Sequence, residues 1–481
     1  MSAVVLALAS LTFIGVLISY GRDFERMVRR KTLIDAERVR AENLNRTNRK
    51  LANEDSLTGL ANRRHFFNLF EEAERNMELG QLDGLFVGIL GLDGFRSVND
   101  VYGHRVGDDV LGVVGQRLRD VMCRGVTIAR LGGDQFGILV RSEQKLVVLQ
   151  ELGNRICEAV KAPMEVNGIR VEISGSVGLA KWEGVQDTSR SLFEKADFAL
   201  CRAKRDARGS AVIFNAAHAA MMRERSGVDR LMREGAFEKE LSLVFQPLVC
   251  TKKGKTVGFE VLARWISSEM GFISPDIFIA SAERNGMINR VTAVLLDKAL
   301  QEAQTWPQDV FMSFNLSAHD IMSGAAILNL ISIVRSSGFD PRRITFEVTE
   351  TAIMENFEQG MQSLSLLKNL GCRIALDDFG TGYSSLAYVR SLPLDKLKLD
   401  RSFITDIEHD EGACSIVHTM VEMCQSLELE CIIEGVETRG QLGILNAMGG
   451  HIIQGYFFSR PLPAKQALAY LREEGEVRLA S

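Results

Sequence analysis

From residue 241 onward, short apolar runs alternate with longer segments in which apolar residues recur at helical spacing, and each run ends on a polar side chain. The runs are Leu243–Gln246, Val257–Glu260, Val310–Asn315, Ile344–Glu347, Ile374–Asp378, Leu394–Lys398, Cys431–Glu434 and Ile452–Gln454. Runs of this length read as buried strands. Strands separated by helices close into a (β/α)8 barrel, whose reactive groups collect at the C-terminal strand ends. The pattern therefore predicts a barrel over residues 225–475 with Glu260, Asn315, Glu347, Asp377, Asp378, Lys398, Glu434 and Gln454 at one mouth. A single Glu after an apolar run is commonly a solvated strand end, but its recurrence run after run is not. Five carboxylates in one mouth repel one another unless cations neutralise them. All the donors are oxygens and no His or Cys stands at a strand end, which points to Mg²⁺ or Mn²⁺ rather than zinc.

Upstream, residues 54–216 alternate strand-like and helix-like stretches. Leu85–Leu92 predicts a strand, Val110–Val121 a helix, and Thr127–Val140 a hairpin turning at Gly132-Gly133. Ile169–Ala180 predicts further antiparallel strands and Ser191–Arg205 a helix. Two glycines at a hairpin tip let backbone approach a phosphate closely.

Residues 1–21 carry no charged side chain, and Arg22, Arg26, Arg29, Arg30 and Lys31 follow at once. About 20 apolar residues cross a bilayer as a helix, and basic residues just beyond a span mark the cytoplasmic side. A signal peptide would carry its basic residues before the apolar core. The expectation is a single transmembrane anchor with every later domain in the cytoplasm. Residues 22–53 are charged and lack Pro. Met27, Ile34, Ala41 and Asn48 share one heptad position, with Leu44 and Leu51 on another, which predicts a linker helix suited to parallel homodimers.

At 481 residues the chain is long enough for several cores. A net charge of −5 gives no support for a nucleic-acid partner. Eight scattered cysteines with no CxxC fit a reducing compartment rather than a disulfide framework or a zinc site.

The central motifs identify a relative. Asp55-Ser56-Leu57-Thr58-Gly59-Leu60-Ala61-Asn62-Arg63-Arg64, Asn99-Asp100-Val101-Tyr102-Gly103-His104 with Gly107-Asp108, Gly132-Gly133-Asp134-Gln135-Phe136, and Ala196-Asp197-Phe198-Ala199-Leu200 with Lys204 resemble the GGDEF diguanylate cyclases. The resemblance implies a ferredoxin-like palm that binds GTP through Asn99, Asp108, Gly132, Gly133, Asp134 and Lys204. It also exposes departures. Gly91 stands where an aspartate is expected, and Gln135 where a glutamate is expected. Phosphoryl transfer in such a palm needs those carboxylates to hold Mg²⁺, so the domain reads as a degenerate cyclase acting as a GTP-binding or dimerising regulator. The residues Cys123–Val126 do not match the family's inhibitory site.

The later motifs, Glu260-Val261-Leu262-Ala263-Arg264-Trp265, Asn315-Leu316-Ser317, Glu347-Val348-Thr349-Glu350, Asp377-Asp378-Phe379-Gly380-Thr381-Gly382-Tyr383-Ser384-Ser385, Lys398-Leu399-Asp400, Glu434-Gly435-Val436-Glu437 and Gln454-Gly455, resemble the EAL cyclic di-GMP phosphodiesterases. By that resemblance Glu260, Asn315, Glu347 and Asp377 hold a first metal. Asp377 bridges to a second, served by Asp378 and Glu434. Lys398 activates the attacking water, Gln454 orients it or the substrate, and Gln246 and Arg264 contact the nucleotide. Gly380, Thr381 and Gly382 belong to a loop that couples metal binding to dimerisation, and Glu437 braces it. Val261 replaces the motif's alanine on the strand face turned away from the site. The resemblance implies a bacterial inner-membrane enzyme that opens cyclic di-GMP to linear pGpG. Its rivals are a non-catalytic cyclic di-GMP receptor and a bifunctional cyclase/phosphodiesterase.

Overall fold

The computed structural model describes residues 52–184, 186–235, 237–354, 356–380 and 386–479, with isolated positions before residue 51. Nearly all of the predicted anchor and linker, and Thr381 and Gly382 of the coupling loop, lie outside the described residues. Among the described residues, no helix is long and apolar enough to cross a membrane. The chain divides into two compact units, Met1–Met222 and Arg223–Ser481, the boundary falling inside helix Ala216–Glu234.

The first unit is built on a mixed sheet of six strands: β1 (Ala61–Asn62), β2 (Phe86–Asp93), β3 (Val126–Gly132), β4 (Gln135–Val140), β5 (Ser174–Lys181) and β6 (Ala211–Ile213). They lie in the order β1-β3-β4-β2-β5-β6. Strand β2 is buried along almost its whole length because both of its faces are covered. Phe86, Leu90 and Leu92 meet helices His104–Val121 and Leu146–Lys161 through Val110, Leu111, Val114, Leu149 and Ile156. Val87 and Ile89 meet helices Arg63–Glu78 and Ser189–Asp206 through Phe66, Phe70, Leu192 and Ala196. The alternation is the period of two that a strand imposes. β3 and β4 form the expected hairpin, whose tip Gly132-Gly133 has positive φ at both glycines.

The second unit is a closed barrel. Its strands are β7 (Leu241–Cys250), β8 (Lys255–Ser267), β9 (Phe311–Asn315), β10 (Ile344–Thr349), β11 (Arg373–Phe379), β12 (Lys396–Leu399), β13 (Glu430–Ile433) and β14 (Ile452–Ile453). From β8 to β14 neighbouring strands are parallel, and β7 closes the ring between β14 and β8. Here the structure corrects the expected (β/α)8 alternation. β7 runs antiparallel to both its neighbours. The turn between β7 and β8 spans only residues 251–254, which reverses a chain directly but cannot carry the crossover a parallel pair requires. Two strand ends change as a result. Gln246 lies in mid-strand rather than at an end, and β8 continues seven residues beyond Glu260.

Inward positions again follow the period of two. Ser313 and Asn315 on β9, Thr345 and Glu347 on β10, Ala375 and Asp377 on β11, and Lys396 and Lys398 on β12 are spaced by two. Leu248, Cys250, Val257 and Ile432 close one end of the lumen with Phe311 and Ile452 packed against them. Lys396, fully buried, places its ammonium 3.4 Å from the Phe311 ring centroid and 3.0 Å from Glu430 Oε2. Polar side chains fill the other end.

Candidate active site

The polar end is organised around one ammonium. Lys398 Nζ donates to Glu347 Oε2 at 2.9 Å and lies 2.5 Å from Glu434 Oε1, 3.5 Å from Asp377 Oδ1 and 3.6 Å from Glu260 Oε1. Lys398 and Glu347 are buried to the last atom or nearly so. Around this centre runs a shell of neutral donors. Asn315 Nδ2 donates to Glu260 Oε1 at 2.9 Å, Gln454 Nε2 to Glu260 Oε2 at 2.6 Å and to Gln246 Oε1 at 3.1 Å, and Ser313 Oγ to Glu347 Oε1. The structure therefore brings together Gln246, Glu260, Asn315, Glu347, Asp377, Lys398, Glu434 and Gln454, which come from six of the eight strands and from the residues just after β13 and β14.

Asp378 joins through a local irregularity. Adjacent strand residues point to opposite faces, so Asp377 and Asp378 could not both serve one site from a regular strand. Between Leu376 and Phe379 the register of β11 on β12 shifts, and Asp378 adopts φ 54°, a left-handed conformation that Asp tolerates. Such bulges re-aim side chains beside active sites, and both carboxylates line the same cavity of about 630 Å³. That cavity also takes in Arg264. A smaller one of about 170 Å³ is lined by Gln246, Glu260, Glu434, Glu437 and Gln454. Glu437 is exposed at this second cavity, and its backbone N–H donates to Gln441 Oε1 at 2.8 Å. Gly380, the described start of the coupling loop, has φ 92°.

The charges are out of balance. Burial pushes Glu347 well above the ordinary carboxylate range, with Glu260 and Asp377 adding to it against the pull of Lys398. Burial likewise pushes Glu434 up to about 7 despite Lys398. Asp378 is raised by burial and by Asp377 and Asp400. Glu260 is also buried, but Lys398 and the amides of Gln454 and Asn315 outweigh that and hold it low. Burial disfavours charge on Lys398 too, yet Glu260, Glu347, Glu434 and Asp377 together hold it firmly protonated. One cation thus faces more anionic groups than it can neutralise.

The donor set fits hard divalent cations. It is all oxygen, burial and neighbouring carboxylates raise Glu347, Glu434 and Asp378, and Gln454 Oε1 is buried with no hydrogen-bond partner among the described residues. Among the described residues no trio of Asp, Glu, His or Cys side chains stands as a finished ligand shell. Lys398 Nζ occupies the centre to which the carboxylates are drawn.

Three contributors escape the strand-end rule. Ser313 lies in mid-strand and donates to Glu347. Asp320 is fully buried and accepts from Asn289 Nδ2 at 2.7 Å, Thr292 Oγ1 at 2.8 Å, and the N–H and Oγ of Ser317 at 3.0 and 2.6 Å. It thereby ties the turn after Asn315 to helix Ile288–Ala303. Ser317-Ala318-His319-Asp320 is a capping-box pattern, and that was its legible signal. Arg401, in the smaller cavity, follows Asp400 with no pattern to single it out.

In the first unit, Gly91 lies opposite Gln135 on β4 and Ser176 on β5. A Cβ at residue 91 would stand 2.7 Å from Lys204 Nζ. The Lys204 ammonium therefore lies beside the place where the expected aspartate side chain would begin, and Gly91 and Gln135 leave this palm without two of the carboxylates that would hold Mg²⁺. Asn99 Oδ1 rests against Gly107, where a Cβ would meet it at 1.9 Å, and Asp108 follows in the same helix, exposed. Asp134, at the glycine hairpin, gives its backbone carbonyl to Leu92 N at 3.1 Å.

Comparison with known proteins agrees with this division. Residues 52–210 match the "Diguanylate cyclase, GGDEF domain" family and residues 230–461 the "EAL domain" family. The bifunctional diguanylate cyclase/cyclic di-GMP phosphodiesterase MucR of Pseudomonas aeruginosa is 34% identical over 439 residues, which is 90% of this chain and 64% of MucR. The cyclic di-GMP phosphodiesterase NbdA of the same organism is 33% identical over 428 residues, 88% of this chain and 54% of NbdA. The chain spans about half the length of the first curated relatives it matches. A solved structure of Vibrio cholerae LapD (S helix-GGDEF-EAL, bound to c-di-GMP) superposes with a TM-score of 0.65 at 18% identity, over 88% of this chain and 99% of that one. That likeness speaks to the fold. Two family matches in tandem, each lying within one compact unit, place this chain in the family of proteins that carry a GGDEF domain followed by an EAL domain.

Proposed function

We propose that the barrel hydrolyses one phosphodiester bond of cyclic di-GMP to give linear pGpG, and that the first unit regulates it without cyclase activity. The observation that carries this reading is Lys398 Nζ held among Glu260, Glu347, Asp377 and Glu434. Relatives named as cyclic di-GMP phosphodiesterases support the choice of substrate.

When bound, two Mg²⁺ or Mn²⁺ ions would neutralise the phosphate oxygens and lower the cost of deprotonating water, as in other two-metal hydrolases. Glu260, Asn315, Glu347 and Asp377 would hold one, and Asp377, Asp378 and Glu434 the other. The chain's own groups supply the rest. Lys398 stays protonated, so it cannot act as a base. Its ammonium orients the water and stabilises negative charge as it develops. Glu434 stands 2.5 Å from Lys398, which places its carboxylate beside the water that the ammonium orients. Gln454 and Gln246 fix the carboxylate of Glu260 on the other side. A buried, enclosed site strengthens each of these interactions.

Gly91, Gln135 and the position of Lys204 argue against cyclase chemistry and leave GTP binding or dimer contacts as the role of the first unit. The apolar residues 1–21 with their basic flank support a cytoplasmic-membrane tether, which cell fractionation would test. For the barrel the decisive experiment uses the full-length protein with cyclic di-GMP and Mn²⁺. Wild type should yield pGpG, and Glu260→Gln, which removes a ligand but no core volume, should yield none while keeping its circular dichroism. Turnover by that variant, or silence from wild type, refutes the proposal.

A further inference from the structure

Two cavities share walls with the carboxylate cluster, and their linings differ. The larger combines the carboxylates of Asp377, Asp378, Asp276 and Glu283 with an apolar wall that includes Leu243, Val261 and Leu295. That lining suits a purine base. The smaller is mostly polar, and Arg401 shares it with Glu260, Asp400, Glu434 and Glu437.

A cyclic dinucleotide carries two phosphodiesters, and only one can lie at Lys398 when the reaction occurs. The second is an anion brought into a mouth already crowded with carboxylates, so it requires a cation of its own. Two arginines line these cavities. Arg264 is half-buried and donates to its own neighbour's carbonyl, Ala263 O, at 2.8 Å. Arg401 is exposed, and its side chain makes no ion pair or hydrogen bond among the described residues. A guanidinium offers a planar fork of donors that matches a phosphodiester's two free oxygens.

The backbone fixes where that fork begins. Asp400 caps the short helix Arg401–Phe403 by accepting from Ser402 N at 2.9 Å. Gly435, next to Glu434, has φ 72°, and a Cβ there would come 2.2 Å from Arg401 Cβ. Only glycine at 435 lets Arg401 stand against the segment that carries the reactive glutamate.

Resting on the phosphodiesterase reading above, we infer that Arg401 binds the second, uncut phosphodiester of the cyclic dinucleotide and so selects cyclic dinucleotides over single phosphodiesters. The test is steady-state kinetics of the full-length protein with cyclic di-GMP and Mn²⁺ for wild type, Arg401→Gln and Arg401→Lys. KM should rise at least about tenfold in the glutamine variant and less in the lysine variant. The kcat and the Mn²⁺ activation constant should stay within about twofold, since the reacting phosphate and its ligands are untouched. An unchanged KM, or a kcat or metal constant that moves with it, overturns the inference. Calorimetric binding of cyclic di-GMP with Ca²⁺ separates the two readings. A wild type that binds but never turns over removes the enzyme reading, while Arg401→Gln must still bind at least about tenfold more weakly. Absence of any binding removes both.

Discussion

Lys398 Nζ donates to Glu347 Oε2 at 2.9 Å in a place where neither side chain meets solvent. Removing one partner of a buried ion pair leaves the other uncompensated, at a cost of about 3–5 kcal/mol. Lys398→Met should therefore lose about that much stability in urea titrations with chelator present, although methionine fills similar space. It should also abolish hydrolysis, because no protonated group then faces the attacking water. Unaltered stability would mean that the carboxylates shed their charge or drew in another cation.

The raised carboxylates predict an unusual pH dependence. Glu434 ionises near 4.5 when unfolded but near 7 when folded. Between those values the folded state holds more protons than the unfolded state, so stability falls as pH rises. Glu347 is shifted in the same direction. In chelator, the unfolding free energy should decline from pH 5 to pH 7.5 by on the order of 1–3 kcal/mol. Mn²⁺ should flatten or reverse that slope, since it replaces the protons as counter-charge. A flat profile in chelator would contradict the crowding of charge described above.

Asp320 offers a test of a residue that touches no reacting group. Its carboxylate accepts from Asn289, Thr292 and Ser317. Asp320→Ala leaves these donors unpaired in a buried place, at about 1–3 kcal/mol per orphaned group before relaxation. The expected result is a lower Tm together with a weaker Mn²⁺ activation constant, because Asn315 begins the turn that Asp320 holds. A lower Tm without the metal effect would restrict Asp320 to the fold.

Gly435→Ala combines two strains. Positive φ costs an L-residue about 1–2 kcal/mol, and the added methyl meets the Arg401 Cβ at 2.2 Å. Thermal unfolding should show a loss of at least that size, and kcat should fall because Glu434 is displaced.

In the first unit, wild type should make no cyclic di-GMP from GTP. Gly91→Asp alone should also make none. Its Cβ would stand 2.7 Å from Lys204 Nζ, so its carboxylate would pair with that ammonium instead of binding Mg²⁺. Chromatography of the products from GTP and Mg²⁺ decides both points. Synthesis by wild type would revive the bifunctional reading.

Much of this was legible in residue order. Short apolar runs marked β9 to β12 to within a residue or two, and the polar ends of those runs were the groups that meet around Lys398. Gln246 was chosen as a strand end and reached the site by another route. β7 runs against its neighbours and presents Gln246 from mid-strand, opposite Glu260 in the register. Its four-residue turn was the sign of a hairpin. Ser313, Asp320 and Arg401 went unnoticed because a serine in a strand, a capping aspartate and a surface arginine are each common. What distinguishes them is proximity, not type.

The sequence by itself determined which segments are strands, which side chains face the lumen and which chemistry their oxygens suit, because strand periodicity and side-chain identity are local properties. Tertiary structure alone decided how those groups act on one another. Gln454 reaches Gln246 across 208 positions, and the bulge in β11 turns two adjacent aspartates toward one cavity. Proton affinities and charge balance depend on distance and on exclusion of water, and neither exists until the barrel closes.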